Sequence, residues 1–370
     1  MTFLAITVGV VLVVSVLADV FNTLVTTRTS LGRWWLTRNL YVVTWRTTAA
    51  IGRRFSSDHA RERLYSIFAP ISVLAMLATW VTQQIIGFGL IWWGLRAGIQ
   101  GDSSLLDSLY YSGVVYFTVG FGEVVPVDQV PRFGALVEAF CGVITVALVI
   151  GYLPSLYSAC GTREQKLSTL DDGSEARITP TNLVLSRAID ADPRSLDGFF
   201  QEWEAWIAHV LETHASFPML RLFRSQQPGQ SWITALGLIA DTALHIEITK
   251  DGHGGPAYWT LRRAARLMQM LTENADLSAY RERLDVAYEE GQASIELYEA
   301  MQAHGFEMLP IDEARAHAVT MRRTFDAQLE FLIDRFDAPR GFWGHQIGHR
   351  LVIDGAIDVA STDSVFERGN

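Results

Sequence analysis

This sequence has few cysteines. Its second half also has fewer basic than acidic side chains. The two cysteines, Cys141 and Cys160, stand in no metal-ligand spacing, so neither a disulfide framework nor a zinc site built on cysteine is expected. Residues 160–370 contain 20 basic and 32 acidic side chains. Such a segment would not neutralise phosphates, so we expect no nucleic-acid partner.

Three long apolar runs dominate the first half of the chain. Residues 3–25 are long enough to cross about 30 Å of hydrocarbon at about 1.5 Å per residue. A cleaved signal peptide, the alternative, would need a basic n-region and a small-residue cleavage site, and neither is present. Further spans are predicted from about Ser66 to Leu95 and from about Arg132 to Tyr157. The shorter run Leu105–Phe117 is predicted to be a re-entrant half-helix.

Arginine predicts the orientation of these spans. The connection 26–65 contains eight arginines and two acidic residues, which marks it as cytoplasmic. The N-terminus is therefore predicted to be extracytoplasmic and residues 160–370 cytoplasmic. Aromatic residues among the arginines indicate a helix lying at anionic lipid headgroups. A voltage sensor would need a cation about every third residue of a spanning helix, and these arginines are spaced irregularly outside the apolar runs.

The segment Thr118-Val119-Gly120-Phe121-Gly122 follows the predicted half-helix and precedes a full span. An ion in a narrow path must exchange its water shell for equally polar groups, and rings of backbone carbonyls supply them. Successive carbonyls face one axis only if the backbone takes conformations that glycine permits, here at Gly120 and Gly122. The Thr118 hydroxyl adds an inner ligand. The alternative interpretation is an ordinary tight turn between two apolar helices.

Thr118 to Glu123 resembles the signature of the potassium-channel pore-domain family, and the likeness extends over about 66–157. The resemblance implies a homotetramer that passes K⁺ between the carbonyls of four filter residues. It also implies two pore-helix aromatics that brace Phe121, and a glycine hinge in the inner helix. The residues matched are Thr118, Val119, Gly120 and Phe121 for the ion, Tyr110 and Tyr111 for the brace, and Gly142 for the hinge.

Three positions depart from the family pattern. Phe117 stands where the family often has a second threonine, and Glu123 replaces the usual aspartate at the outer mouth. Val114 stands where some members have a buried glutamate that pairs with that aspartate. The departures affect filter stability and leave the strictness of selectivity open.

Other residues of the spans carry polar or conformational roles. Glu138 is interpreted either as a packing contact to the back of the pore helix or as a proton-sensitive latch. Asp19 is expected to reach water or to pair with the arginine-rich connection. Gly151 and Pro154 are predicted to bend the inner helix near a gate.

The second half reads as helices, with apolar stripes at helical spacing. It contains no dinucleotide fingerprint and no nucleophile–base motif. His345 and His349, four residues apart, are either a metal site or a surface pair. The stripes are Phe199, Trp203, Trp206 and Val210; Leu261, Ala265, Met268 and Leu271; and Met321, Phe325, Leu329, Leu332 and Phe336.

The sequence thus predicts an all-α membrane protein with three transmembrane helices, a re-entrant pore helix and a selectivity filter. The predicted function is a tetrameric potassium channel with no cofactor and no enzymatic activity, whose helical tail gates or assembles the pore. The alternatives are a weakly selective cation channel, a non-conducting receptor and a membrane-tethered enzyme. The predicted domains are a first transmembrane helix (1–27), an interfacial connection (28–63), a pore domain (64–158), a linker (159–180) and an all-α cytoplasmic domain (181–370).

Overall fold

The computed structural model describes residues 2–24, 36–55, 57–101, 104–170, 178–225, 230–290 and 295–339. Regular structure in these ranges is helical apart from one pair of two-residue strands, which confirms the predicted all-α fold class. The chain divides into two compact units. The first consists of Met1–Cys160 with His214–Phe223, and the second of Gly161–Thr213 with the chain from Arg224 onward.

Among the described residues, three helices that begin in the first unit are each long and apolar enough to cross a membrane, as predicted. They are α1, α3 and α5. Helix α4 has 12 residues and reaches only about 18 Å at about 1.5 Å per residue, which is too short to span. The elements are α1 (Thr2–Leu24), α2 (Leu36–Gly52), α3 (Asp58–Gly94), β1 (Ile99–Gln100), α4 (Leu105–Tyr116), β2 (Val125–Pro126) and α5 (Gln129–Ser168).

Two helices extend beyond the apolar runs that predicted them. Helix α3 begins at Asp58 rather than near Ser66, because Ser57 caps it by accepting a hydrogen bond from the Ala60 amide. Helix α5 continues to Ser168, so the start of the predicted linker 159–180 is helical. Hydropathy predicts only the apolar part of a helix, so it does not detect the polar turns at either end.

Glycines allow α1 and α3 to pack closely. A Cβ added at Gly9 would overlap the Gly87 carbonyl oxygen, and one added at Gly94 would overlap the Ile6 side chain. Asp19 of α1 is buried in this contact and accepts a hydrogen bond from Trp80 Nε1 of α3 at 2.9 Å. Asp19 does not reach water as one of the two predictions had it, since its side chain is only 1% exposed. Of its other predicted partner, the arginine-rich connection 26–65, residues 26–35 and 56 lie outside the described residues.

Apart from the segment His214–Phe223, which belongs to the first unit, the second unit contains α6 to α13 and is built around one helix that is buried at all 16 of its positions. That helix is α8, and it packs in one apolar core with residues of α7, α9 and α13. The elements are α6 (Pro180–Arg187), α7 (Asp197–Ser216), α8 (Trp232–Glu247), α9 (Pro256–Leu271), α10 (Ser278–Glu290), α11 (Ile295–Ala303), α12 (Ile311–Arg322) and α13 (Asp326–Phe336).

Helix α8 also carries buried polar groups. Asp241 pairs with the fully buried Arg322 of α12 at 2.7 Å, and the Asp241 carbonyl contacts Nδ1 of His245. Burial, and then the charge of Arg322, lower the pKa of His245 to about 3. Burial raises the pKa of Glu247, the last residue of α8, to about 7. His245 is therefore held neutral inside the folded unit.

The predicted stripes lie on helices, with one correction. The first lies on α7 and the second on α9, and most of their residues are buried. The third stripe predicts a single helix, but the structure divides its residues between α12 and α13. The break falls at 323–325, where the Thr324 hydroxyl donates to the Met321 carbonyl at 2.6 Å and Phe325 turns into the core.

Candidate functional site

The candidate site begins with the short helix α4, whose start is fixed by a capping box. The Asp107 amide donates to Ser104 Oγ at 3.2 Å, and the Ser104 amide donates to Asp107 Oδ2 at 3.0 Å. These bonds satisfy amides at the helix start that have no partner within the helix. The helix ends at Tyr116, with Phe117 as its C-cap. Its C-terminal end, which carries partial negative charge, therefore leads directly into the filter segment.

The filter segment 118–122 has an alternating backbone. The φ angle is positive at every second residue: 54° at Thr118, 64° at Gly120 and 92° at Gly122. Glycine takes such angles without a Cβ clash, whereas Thr118 is strained there. The turn is held by hydrogen bonds from the Thr118 and Val119 amides to the carbonyls of Val115 and Val114, at 2.9 and 2.8 Å.

The same segment is exposed in a single chain. Phe121 is 69% exposed, Val119 50% and Phe117 56%. A Cβ added at Gly120 or Gly122 would meet nothing within 4 Å. Backbone strain and open space thus coincide at 118–122, and the described residues of one chain neither cover nor enclose this segment.

The two tyrosines predicted to brace the filter have separate partners. The Tyr110 hydroxyl donates a hydrogen bond to Oε1 of Glu123, the residue directly after the segment 118–122. Tyr111 is buried and packs edge-on against Trp92 of α3, with ring centroids 5.6 Å apart. The bracing of Phe121 itself stays a prediction.

Glu138 lies fully buried where three helices meet. It accepts a hydrogen bond from Ser112 of α4 and another from Trp92 Nε1 of α3, the latter at 2.6 Å. Ser112 also approaches the Ile85 carbonyl at 2.9 Å. This is the geometry of a contact to the back of α4, the first of the two roles expected from the sequence.

The predicted hinge and gate residues differ in their surroundings. A Cβ at Gly142 would overlap the Tyr116 carbonyl oxygen, so this glycine permits close contact between α5 and the end of α4. A Cβ at Gly151 would meet nothing within 4 Å. Pro154 lies inside α5, which continues through it to Ser168. Their roles in gating stay predictions.

A small sheet ties the end of α3 to the exit of the filter. Ile99 pairs with Pro126 and Gln100 with Val125 in antiparallel register. Gly101, at φ 88°, lies where a Cβ would be 2.6 Å from the Glu123 carbonyl oxygen. This arrangement fixes the backbone just outside Glu123, and nothing in the sequence pattern pointed to it.

The remaining predicted site residues fall elsewhere. Val114 lies on α4, and its carbonyl accepts the hydrogen bond from the Val119 amide. Cys141 and Cys160 are buried, and neither forms a disulfide among the described residues. His345 and His349 lie outside the described residues, so the structure does not address the metal site predicted there.

Fold and site together define a class of protein, a helical membrane protein with an ion-channel domain. Residues 75–158, under a quarter of the chain, match the family model described as Ion channel. The predicted resemblance of this segment to a channel pore is therefore confirmed.

The chain is also similar to known bacterial proteins. It is 26% identical over 203 residues to the uncharacterized membrane protein YdjJ of Bacillus subtilis, a match that covers 52% of this chain and 57% of that one. It is 33% identical over 90 residues to protein LctB of Geobacillus stearothermophilus, covering 21% of this chain and 66% of that one. The chain thus spans less than two thirds of these relatives. No solved structure matches it.

Proposed function

We propose that this protein is a potassium-selective channel that conducts K⁺ passively through a pore made by four copies of the chain. The observation that carries the proposal is the positive φ at Thr118, Gly120 and Gly122, in an exposed segment that follows a helix too short to cross the membrane. An alternating backbone turns successive carbonyls towards one axis, where they replace the water around a dehydrated cation. The partial negative end of α4 favours that cation.

One chain supplies only a quarter of each carbonyl ring, and its exposed apolar side chains support assembly. On α5, Phe133 and Leu136 are each 70% exposed and Phe140 is 64% exposed. Exposed apolar area of this kind is covered by lipid or by other copies of the chain. Four copies around one axis would cover Val119 and Phe121 while leaving their backbone on the ion path.

Orientation and regulation form part of the same proposal. The eight arginines of 26–65 support a cytoplasmic position for that connection, near anionic headgroups, with the N-terminus outside. The second unit, entered through the continuous helix α5, gates the pore or helps it assemble. An ion-channel domain points to a protein that is not an enzyme.

A weakly selective cation channel is the second candidate, and Phe117 is the observation that favours it. Phe117 is 56% exposed at the inner end of the filter, at a position where a threonine would add a hydroxyl ligand. Without that ring of hydroxyls, the inner mouth contributes less to the choice between K⁺ and Na⁺.

Flux into liposomes tests the proposal. Wild-type protein is expected to pass K⁺ far faster than Na⁺, and Gly120→Ala to abolish K⁺ flux, because φ 64° strains any residue with a Cβ. Gly113→Ala is the matched control: its Cβ also meets nothing within 4 Å, but Gly113 lies inside α4 and lacks a positive φ. Equal K⁺ and Na⁺ flux through wild-type protein would support the weakly selective channel instead.

A further inference from the structure

The second unit brings three metal-ligating side chains together. Glu247 ends α8, His253 lies in the turn before α9, and His317 lies on α12. One potential ligand atom from each lies within 4.8 Å of the other two. Nδ1 of His253 is 3.8 Å from Glu247 Oε2, and the two imidazole rings stand nearly perpendicular with centroids 5.2 Å apart.

The backbone fixes this cluster from both sides. The Lys250 amide donates to the Glu307 carbonyl at 2.8 Å, and the Leu309 amide donates to the Ile248 carbonyl at 3.0 Å. These bonds hold the turn after α8 against the segment that leads into α12. A Cβ at Gly252 would overlap the Ile246 carbonyl oxygen, so the residue before His253 must be glycine. The cluster is therefore a product of the folded unit.

Two buried atoms of the cluster lack a hydrogen-bond partner among the described residues. They are Oε1 of Glu247 and Nε2 of His317, and the backbone amides of Gly254 and Tyr258 lie close to the same Glu247 carboxylate. Leaving such a group unsatisfied is unfavourable, and a bound ion is one recognised explanation. Each atom is of a type that ligates transition metals.

Exposure varies across the cluster in a way that gives an ion access. The Glu247 side chain is 2% exposed, whereas that of His253 is 44% exposed. A carboxylate thus lies at the base, with an imidazole at the solvent side that can turn inward. An ion can enter past His253 without unfolding of the unit.

We propose that Glu247, His253 and His317 bind one divalent transition-metal ion, of which zinc fits best. Two imidazole nitrogens with one carboxylate oxygen suit zinc and its neighbours, whereas Ca²⁺ and Mg²⁺ prefer oxygen ligands throughout. Tetrahedral zinc with bonds of about 2.1 Å needs ligand atoms about 3.3 Å apart. Side-chain rotations that move the ligand atoms by about 1 Å therefore complete the site. Three protein ligands leave a fourth position for water.

The ion would join the end of α8 to α12 and stabilise the second unit. This proposal does not depend on what the pore conducts. It predicts one zinc per chain when full-length protein in detergent is stripped with chelator, re-exposed to zinc and analysed by elemental mass spectrometry. At a zinc concentration 100-fold above Kd, the thermal unfolding midpoint should rise by about 5–10 °C.

Variants locate the site. His253→Ala and His317→Ala should each remove the bound zinc and the rise in the midpoint, and Glu247→Gln should weaken binding at least tenfold. His304→Ala is the matched control, because His304 is exposed just after α11 and its Nδ1 contacts the Ala300 carbonyl of that helix rather than the cluster. His345→Ala with His349→Ala tests the site predicted from the sequence. Cobalt(II) provides a second readout, since tetrahedral coordination by these ligands gives intense visible absorption that the His253 variant should lack.

Because His253 is largely at the surface, its alanine variant should keep wild-type far-ultraviolet circular dichroism. A zinc stoichiometry near zero in wild-type protein would overturn the proposal. So would zinc binding that survives both His253→Ala and His317→Ala, or that disappears only in the variant of His345 and His349.

Discussion

At the scale of single residues, two glycines of α5 show that one residue type serves different ends. A Cβ added at Gly142 would overlap the Tyr116 carbonyl oxygen, whereas a Cβ added at Gly151 would lie in open space. Both are internal positions of one helix, where alanine is otherwise favoured by about 1 kcal/mol. Replacement by alanine therefore tests two effects on stability separately: close packing at Gly142 and helix propensity at Gly151.

We expect Gly142→Ala to destabilise the protein and Gly151→Ala to leave its stability unchanged or slightly raised. The added methyl at 142 must push α5 away from the end of α4, a change typical of overpacking that costs about 1–3 kcal/mol. Thermal unfolding of each variant in detergent measures this. If the two variants had equal midpoints, the contact at Tyr116 would not explain the glycine.

Two histidines provide a second comparison. His245 and His304 each direct Nδ1 at the carbonyl oxygen four residues earlier, but His245 is buried beside Arg322 and His304 is exposed. The pKa of His245 is lowered to about 3, while an unfolded histidine titrates near 6.5. The unfolded chain therefore binds a proton between these values that the folded unit excludes. The contribution of His245 to the free energy of unfolding is fully present above about pH 6.5, and it is lost progressively as the pH falls towards 3.

The His245→Gln variant should show a weaker loss of stability in acid. The difference attributable to His245 amounts to about 1.4 kcal/mol per pH unit below pH 6.5. For a unit of this size, that corresponds to a midpoint shift of about 3–6 °C per pH unit. Midpoints measured from tryptophan fluorescence at pH 8, 6 and 5 compare wild type, His245→Gln and the control His304→Gln. Parallel curves for wild type and His245→Gln would contradict the assignment.

At the scale of elements, α3 is the helix that fixes both other spans. Its Trp80 donates to Asp19 of α1, and its Trp92 donates to Glu138 of α5. Twelve residues at 3.6 per turn place the two tryptophans about 120° apart around the helix, so each faces a different neighbour. A carboxylate buried in hydrocarbon without a hydrogen-bond donor is energetically unfavourable. Each tryptophan–carboxylate pair therefore favours the one helix packing in which donor and acceptor meet.

Trp92→Phe should destabilise the first unit by about 1–3 kcal/mol, because Glu138 loses a donor that it cannot replace with water. Trp93→Phe is the matched control: Trp93 is only partly buried, and Arg96 lies over its ring at 5.6 Å. Combining Trp92→Phe with Glu138→Gln isolates the interaction in a double-mutant cycle. Additive effects in that cycle would show that the two side chains do not act as a pair.

What the sequence predicted, and what it did not, follows from the range of each interaction. The spans and the alternating glycines are local patterns, and the structure contains both at the expected positions. The tryptophan–carboxylate pairs join residues 61 and 46 positions apart, and no local pattern encodes them. The sequence did not predict helix α8. All of its faces are buried, so it lacks the alternation of apolar and polar sides that gives a helix its hydrophobic period. The third stripe kept its period across a break that depends on Thr324.

At the scale of the whole molecule, the proposed assembly and the role of the second unit are tested together. Native mass spectrometry of full-length protein should give four chains. A chain truncated after Ser168, where α5 ends, should still give four chains and keep its preference for K⁺, because it retains residues 118–122 and their hydrogen-bond partners on α4. It loses the second unit from Thr169 onward, and with it the segment His214–Phe223 of the first unit. Its open probability in bilayer recordings should differ from that of full-length protein.

A stable monomer or dimer under gentle extraction would contradict the fourfold pore. Unchanged open probability after truncation, across conditions that modulate the full-length protein, would show that the second unit does not gate the channel. Loss of the four-chain particle on truncation would assign the second unit to assembly rather than to gating.

The burial of α8 on every face has a consequence for biosynthesis. Before the second unit folds, this 16-residue apolar segment presents the insertion machinery with a candidate span. Asp241 lies near its middle, where an aspartate opposes insertion by about 2.5–3.5 kcal/mol and each leucine or isoleucine favours it by only about 0.3–0.6 kcal/mol. We therefore expect the carboxylate that pairs with Arg322 in the folded unit also to oppose insertion of α8 into a bilayer, so that one side chain would contribute to both sorting and folding.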